Sequence, residues 1–309
     1  MIPKDKYIAV IGCGFWGSKH ISEYLSLGIS VVAVDENRDT LERMNEKGII
    51  SFSTLDKLLE SDIELFGASI CTPNNSHSKV AKKLMEKGIP VLVEKPLSTS
   101  VEEAEKTVKY ANDNNVKLVV GHIFRFNNAI RKVKQIIERG EIGDIHLVKF
   151  QWTNMERLFD DRDVILDLAL HPFDILDYII DGDINIVSST GASYRETIYP
   201  EVAFLSGFYG DIIFQIEVSW LTPPKVRELT VVGSKASLIV DAVGQKINMV
   251  NNSGEITKLN VVENNTIRDE LQGFVNYILD SNFEHPARGK VGNRIVKIVS
   301  EALDKCQTN

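Results

Sequence analysis

Cysteine is scarce in this chain. Cys13, Cys71 and Cys306 are the only three, far apart and without a C-x-x-C spacing. An odd, scattered set excludes a disulfide framework and reads as reduced thiols in a cytoplasmic protein. No acidic or Cys/His cluster has the spacing of metal ligands, so no metal is expected. A basic excess is missing too. With 35 Lys and Arg against 43 Asp and Glu, the net charge is −8. That argues against nucleic acid or an anionic membrane as a partner, because both require basic surface. No apolar stretch approaches the ~20 residues that span a bilayer. There is no low-complexity linker and no internal repeat. The opening "MIPKDKYIAVIGCG" runs straight into a strand and a glycine turn, leaving no room for a signal-peptide cleavage region. The expectation is a soluble, cytoplasmic protein that meets neither membrane nor nucleic acid.

What is present is a regular alternation. The runs "YIAVIG", "SVVAVDE", "LFGASICT", "PVLVEK" and "KLVVGHIF" are short, nearly continuous in apolar character and rich in Val and Ile. Strands covered on both faces have this pattern. Between them lie helical patterns that start on Ser or Thr caps or end at Gly28 and Gly88. Alternating strand and helix predicts an α/β fold with a doubly wound parallel Rossmann sheet. After a further helix, "NNAIRKVKQIIERG", the pattern changes to a strand, the helix "ILDLALHPFDILDYIIDG", and successive strands joined by turns such as "YGD" and "NNSG". That predicts a second, α+β domain with an open, mostly antiparallel sheet laid out as a meander. The expected division is 1–122 and 123–309, with the C-terminal helix able to pack back on the first domain. A chain of 309 residues suits two domains of roughly 100–200 residues each.

The turn "VIGCGFWG" places Gly12, Gly14 and Gly17 in G-x-G-x-x-G spacing between the first strand and the first helix. Gly12 permits the tight turn, Gly14 lets backbone N–H groups approach a pyrophosphate, and Gly17 lets helix pack on strand. Phe15 and Trp16 belong to the same turn. Asp35 ends the second strand about 20 residues on, where a carboxylate would accept the adenosine ribose hydroxyls and repel a 2′-phosphate. NAD is therefore expected over NADP, although Arg38 stands near enough to tolerate a phosphate.

Two other stretches carry chemistry. "VLVEKP" ends an apolar strand in Glu94 and Lys95, charges that either meet water there or serve a cleft. In "DLALHPFD", Asp167, His171 and Asp174 share one face if the segment is helical. Pro172 resists a helix interior, which would start the helix within a turn of it and leave Asp167 near a cap. Arg125 follows a strand end and could face a cleft, and Asn127 would cap the next helix. His20 and His146 read as structural.

Taken in order, "GCGFWG", "CTPNNSH", "EKP", "GHIFRFNNAI" and "DLALHPFD" resemble the Gfo/Idh/MocA family of NAD(P)-dependent sugar and cyclitol oxidoreductases, over essentially the whole chain. The resemblance implies a Rossmann domain followed by a sheet domain that carries the substrate site, and homodimers or homotetramers formed through that sheet. It also implies that Lys95, His171 and Asp167 lie near the nicotinamide, making them the expected catalytic residues. Cys71, Thr72, Pro73, Asn74, His77, Glu94 and Arg125 join the glycine turn as expected cofactor-binding residues. On this basis His171 is the base, Asp167 orients it, and Lys95 stabilises charge on the substrate oxygen. The segments "DRDVILDLALHPFDILDYI" and "SWLTPPKVRELTVVGSKASLIVD" resemble the branch acting on nucleotide-linked amino sugars, with Arg157, Arg162 and Arg227 as cations for a diphosphate and Asn154 and Asp174 as further expected substrate residues. Relatives of that branch often carry Glu at the Phe124 position and Pro at the Asn128 position, and this chain departs at both. The alternatives are a dehydrogenase of free sugars or inositol, a non-catalytic NAD-bound sensor, and a structural interaction protein.

Overall fold

The computed structural model describes residues 6–159, 162–195, 197 and 199–308. They form two compact units: residues up to Ile123 with Asn265–Val296, and Phe124–Asn264 with the segment from Lys297 on. The interval 123–309, expected as one domain, is thus divided between the two.

The first unit begins β1 (Tyr7–Ile11), α1 (Phe15–Ser26), β2 (Val31–Val34), α2 (Arg38–Glu46), β3 (Ile50–Phe52) and α3 (Leu55–Leu59). It continues β4 (Leu65–Ile70), α4 (His77–Met85), β5 (Val91–Glu94), α5 (Val101–Asp113) and β6 (Leu118–Gly121). The six strands pair in parallel in the order β3-β2-β1-β4-β5-β6. The very short β3 carries too few residues for a pattern and was not expected from the sequence. Strand residues alternate between two cores. Ala9, Ile11, Val32, Val34, Val91 and Val93 face one side, and Ile8, Val10, Val31, Ala33, Leu92 and Val119 the other. Both faces are covered, which is why these strands read as unbroken apolar runs. The chain order reverses between β1 and β4, and ligands of such sheets sit beyond the carboxyl ends of the strands at that point.

The second unit comprises α6 (Asn128–Glu138), β7 (Ile145–Met155), α7 (Leu170–Ile179), β8 (Ile184–Ala192), β9 (Val202–Tyr209), β10 (Ile212–Ser219) and β11 (Leu221–Gly233). β12 (Ala236–Asp241), β13 (Lys246–Asn251) and β14 (Ile256–Leu259) complete its run of strands. Asn127 caps α6, accepting the amides of Ala129 and Ile130. Helix α8 (Thr266–Leu279) then returns to the first unit, where Leu271, Phe274 and Val275 join the core beside α1. Helix α9 (Gly289–Asp304) leads from one unit into the other, and β15 (Cys306–Thr308) adds an edge strand parallel to β8. The sheet has nine strands in the order β14-β13-β12-β11-β7-β10-β9-β8-β15. It is not a plain meander: β7 inserts between β11 and β10 and pairs with β10 in parallel. Val148, Phe150 and Trp152 of β7 are buried while Lys149 is exposed, so one face packs inward and the other stays open. No helix among the described residues is long and apolar enough to cross a membrane.

Candidate active site

Residues of the first unit gather at the carboxyl ends of β1, β2, β4 and β5. Gly12 has φ +84°, and a Cβ there would stand 2.7 Å from the Cys71 carbonyl oxygen. A Cβ on Gly17 would lie 1.8 Å from the Gly12 carbonyl oxygen. Only glycine fits either place. Gly14 differs: a Cβ there would meet nothing within 4 Å, and α1 begins on Gly14 with no side-chain cap. Open space in front of uncapped helix amides, with Phe15 exposed beside them, suits an anionic group brought by a ligand. Trp16 makes an edge contact with Phe15, and Lys19 lies over both rings. The residues present therefore fit a dinucleotide.

Asp35 accepts the amides of Cys13 (2.7 Å) and Asn37 (2.8 Å), one on each carboxylate oxygen. This ties the end of β2 to the glycine turn and leaves a further lone pair on each oxygen. Arg38 points to solvent and pairs with Glu42 at 3.0 Å. Burial, with Asp35 adding, pushes the Cys13 thiol up to about 12, so it is a packing residue rather than a nucleophile.

The turn after β4 holds Thr72, Pro73 and Asn74. The Ser76 hydroxyl donates to the Thr72 hydroxyl at 2.7 Å. His77, expected to touch the cofactor, does something else. It is 1% exposed, and its ring nitrogens lie 2.7 Å from the Pro96 carbonyl and 2.8 Å from the Thr72 carbonyl. Burial lowers its pKa against the pull of those two carbonyls. Glu94, also expected at the cofactor, is 6% exposed and lies 3.0 Å from His20 Nε2. Burial alone would raise the Glu94 carboxyl, but the His20 contact, with Lys95, brings it below the usual carboxylate value. Lys95 follows directly, half-buried at the carboxyl end of β5. Of the two strand-end charges, the glutamate turns inward to His20, and Lys95 is the residue after the strand.

In the second unit α7 starts at Leu170, within a turn of Pro172, but helical backbone already precedes it. A π turn at Ile165–Ala169 runs into α7, and Pro172 is its third residue. Proline lacks the N–H that a regular turn would use, and the wider turn immediately before it absorbs the mismatch. Asp167 therefore lies within helical backbone rather than at a cap. Its carboxylate accepts Trp220 Nε1 at 3.2 Å and faces Arg162 at 4.0 Å. His171 is half-buried, with the Phe124 ring edge-on at 5.2 Å between centroids; Phe124 meets Trp152 in the same way.

Arg125 and Asp174 pair with one another. Arg125, expected at the cofactor, is 5% exposed. Its Nε donates to Asp174 at 2.6 Å and its second amino group to Asp177 at 2.7 Å. Asp174, expected at the substrate, is consumed by the same pair, and burial pushes it up to about 6 against the pull of Arg125. Both were placed by sequence neighbourhood, which does not reveal that Asp177, one turn on, completes a buried ionic triad. Asn154 is also buried. It donates to Glu156 at 2.6 Å and accepts from Arg227 at 2.8 Å. Arg157 and Arg162 lie over the Phe159 ring, at 5.4 Å and 4.4 Å. Sequence reasoning missed Trp220 and Glu270. Glu270, on α8, falls with His20 and Glu94 in a buried group whose oxygen and nitrogen atoms lie within 4.8 Å of one another. It joins that group from a helix some 170 residues away in sequence, and no local pattern signals it.

A doubly wound sheet with a glycine turn at its switch point defines a dinucleotide-binding Rossmann unit, here joined to a unit built on a mixed sheet. Comparison with known proteins makes this specific. Residues 6–122 match the profile "Oxidoreductase family, NAD-binding Rossmann fold", and residues 130–239 match the "GFO/IDH/MocA C-terminal domain". The chain belongs to the Gfo/Idh/MocA oxidoreductase family. It is 31% identical over 167 residues (54% of this chain, 51% of the relative) to UDP-N-acetylglucosamine 3-dehydrogenase of Acidithiobacillus ferrooxidans. It is 29% identical over 222 residues (66% and 64%) to inositol 2-dehydrogenase 1 of Mycolicibacterium vanbaalenii. The chain thus spans between half and two-thirds of the length of these curated relatives. In solved structures, the UDP-N-acetylglucosamine 3-dehydrogenase GnnA from Acidithiobacillus ferrooxidans superposes with TM-score 0.87 at 22% identity, over 99% of this chain and 98% of that one. That likeness is one of fold.

Proposed function

We propose that this protein is an NAD-dependent dehydrogenase that removes a hydride from a secondary hydroxyl of a sugar, with C3 of a UDP-N-acetylhexosamine-type nucleotide sugar as the substrate position. One observation carries the reading: the glycine turn opens onto free space at the switch point of the sheet, and Lys95 directly follows the carboxyl end of β5 in the same sheet. Asp35, beside that turn, supports NAD over NADP, since its charge opposes a 2′-phosphate.

When bound, a nicotinamide supplies the hydride acceptor. The chain must then manage the hydroxyl proton. In this reading His171 takes it, an imidazole being matched to neutral pH. Phe124 restrains the ring edge-on, and Asp167, held by Trp220 and Arg162, keeps negative charge one helical turn away. Lys95 hydrogen-bonds the same oxygen and stabilises the charge that develops there. Arg157 and Arg162, both over Phe159, are the cations for a diphosphate. The second reading, a dehydrogenase of free polyols, is favoured by the inositol 2-dehydrogenase relative, whose match covers more of the chain.

The test is NADH formation over a panel of UDP-N-acetylhexosamines, free sugars and inositols. Response to nucleotide sugars supports the first reading, response to free polyols alone supports the second, and silence from the whole panel removes both. Lys95→Ala and His171→Ala should each retain NAD binding and lose about 10²-fold or more in kcat. Near wild-type turnover in either variant ends that assignment.

Assembly belongs to the same proposal. The open face of the nine-stranded sheet exposes Phe204, Phe208 and Ile213 beside Lys149, Glu217 and Glu228. A second copy of this chain, giving a homodimer or homotetramer, would cover that face.

A further inference from the structure

Two buried histidines flank Lys95, and the chemistry proposed above uses neither. His20, on α1, is fully buried. Its Nε2 lies 3.0 Å from Glu94 Oε1 and its Nδ1 lies 3.5 Å from the Cys71 sulfur. His77, the first residue of α4, sits between the carbonyls of Pro96 and Thr72, and its neutral ring donates to one of them. One imidazole therefore holds the residue before Lys95, and the other holds the residue after it. Each also reaches the turn after β4, at the adjacent residues Cys71 and Thr72. Glu94 closes the arrangement by accepting the Lys95 amide at 3.2 Å. Glycine at 121, beside Glu94 on the neighbouring strand, leaves room: a Cβ there would come within 3.1 Å of the Glu94 carboxylate.

A buried carboxylate and two buried imidazoles are costly substitutes for apolar side chains of similar volume. Apolar groups would fill the space but would not fix direction, whereas a hydrogen bond does. We propose that His20 and His77 are positioning residues. They lace the Cys71–Thr72 turn to the Glu94–Pro96 corner from its two sides, and so fix where the Lys95 ammonium stands. The consequence for catalysis rests on the reading of Lys95 given above. His20 also sits on the helix opened by the glycine turn, so the same lacing ties the expected pyrophosphate-binding turn to the reacting lysine. A reacting group displaced by about 1 Å loses about 10²-fold in rate. Modest loosening of this corner should therefore show in kcat before it shows in binding.

The test uses the full chain with four variants: His20→Leu, His20→Gln, His77→Gln and Lys95→Ala. Amide hydrogen exchange at residues 91–98 reads the corner without reference to activity. His20→Leu should raise exchange at the Lys95 amide and lower kcat by about tenfold or more, with KM for NAD changed by no more than about threefold. His20→Gln keeps a side-chain donor for Glu94 and should recover part of both losses. His77→Gln should also raise exchange there. In the Lys95→Ala background, adding His20→Leu should cost no further turnover, because the lysine it positions is gone. A merely structural role would lower the melting temperature and add its loss in either background. Unchanged exchange at Lys95 in folded variants, or full additivity, overturns the proposal. If His20→Leu does not fold, the two glutamine variants decide it by the same readouts. If the wild type turns over nothing in the panel, the activity reading has failed separately, and exchange at Lys95 still decides whether the histidines hold the corner.

Discussion

The two sheets of this molecule treat polar groups in opposite ways. The six-stranded parallel sheet has apolar cores on both faces, and its polar residues collect at the carboxyl ends of the strands, where Asp35, His77 and Glu94 are each committed to named partners. The nine-stranded sheet has one packed face and one open face. Its packed side contains an ionic triad, Arg125–Asp174–Asp177, and its open side mixes Phe204, Phe208 and Ile213 with charged residues. Coverage makes the difference. A sheet buried on both faces can place polar chemistry only at its ends, whereas a half-covered sheet can place it on a face.

The largest expected effect falls where the first sheet has no slack. Gly12→Ala combines a left-handed backbone with a Cβ 2.7 Å from a carbonyl oxygen. It should cost about 3–5 kcal/mol, adding backbone strain to overpacking, and abolish NAD binding. Urea unfolding and a nucleotide titration check this, and a variant that binds NAD normally would break the comparison at its strongest point.

An intermediate effect belongs to the second unit. Arg125→Met removes the cation that pairs with buried Asp174 and half-buried Asp177 and should cost roughly 3 kcal/mol at pH 7.5. The pH dependence has a definite sign. Burial raises Asp174 to about 6 from an ordinary value near 3.8. Its contribution is thus fully present at low pH and is lost as pH rises through about 6. The deficit of the variant should therefore shrink between pH 7.5 and pH 5, when the carboxyl takes a proton. Parallel stability curves for wild type and variant across that interval would refute this.

The smallest effect on stability falls on the open face. Phe208→Asp should change unfolding free energy by no more than about 0.5 kcal/mol, because the ring is already exposed. If copies of the chain meet there, light scattering should show a smaller species than the wild type; an unchanged mass would remove this face from the assembly.

Much of the first unit was legible because its signals are local. The glycine spacing, the unbroken Val and Ile runs and the helix caps each lie within a few residues of what they specify. The position of Lys95 at the end of a strand followed from the same reading. The partners of His77, Arg125 and Asp174 (Pro96, Asp177 and Arg125 among them) were not legible, because sequence proximity does not say which way a side chain turns. The helix was expected to start within a turn of Pro172 because proline resists a helix interior; a π turn at Ile165–Ala169, with no compositional signature, carries helical backbone further upstream. The meander was expected from short turns, but β7 pairs between β10 and β11, partners about 65 to 90 residues downstream.

Periodicity, turn residues and glycine spacing are properties of neighbouring residues, so the chain alone determined a doubly wound nucleotide-binding sheet, its glycine turn and a second unit of strands. Pairing across long stretches of chain decided the rest: the return of α8 to the first unit, the nine-strand order, and which buried carboxylate each histidine or arginine holds. Those choices compare the free energies of whole arrangements, above all the cost of leaving a buried charge without a partner. That comparison exists only once the chain has folded.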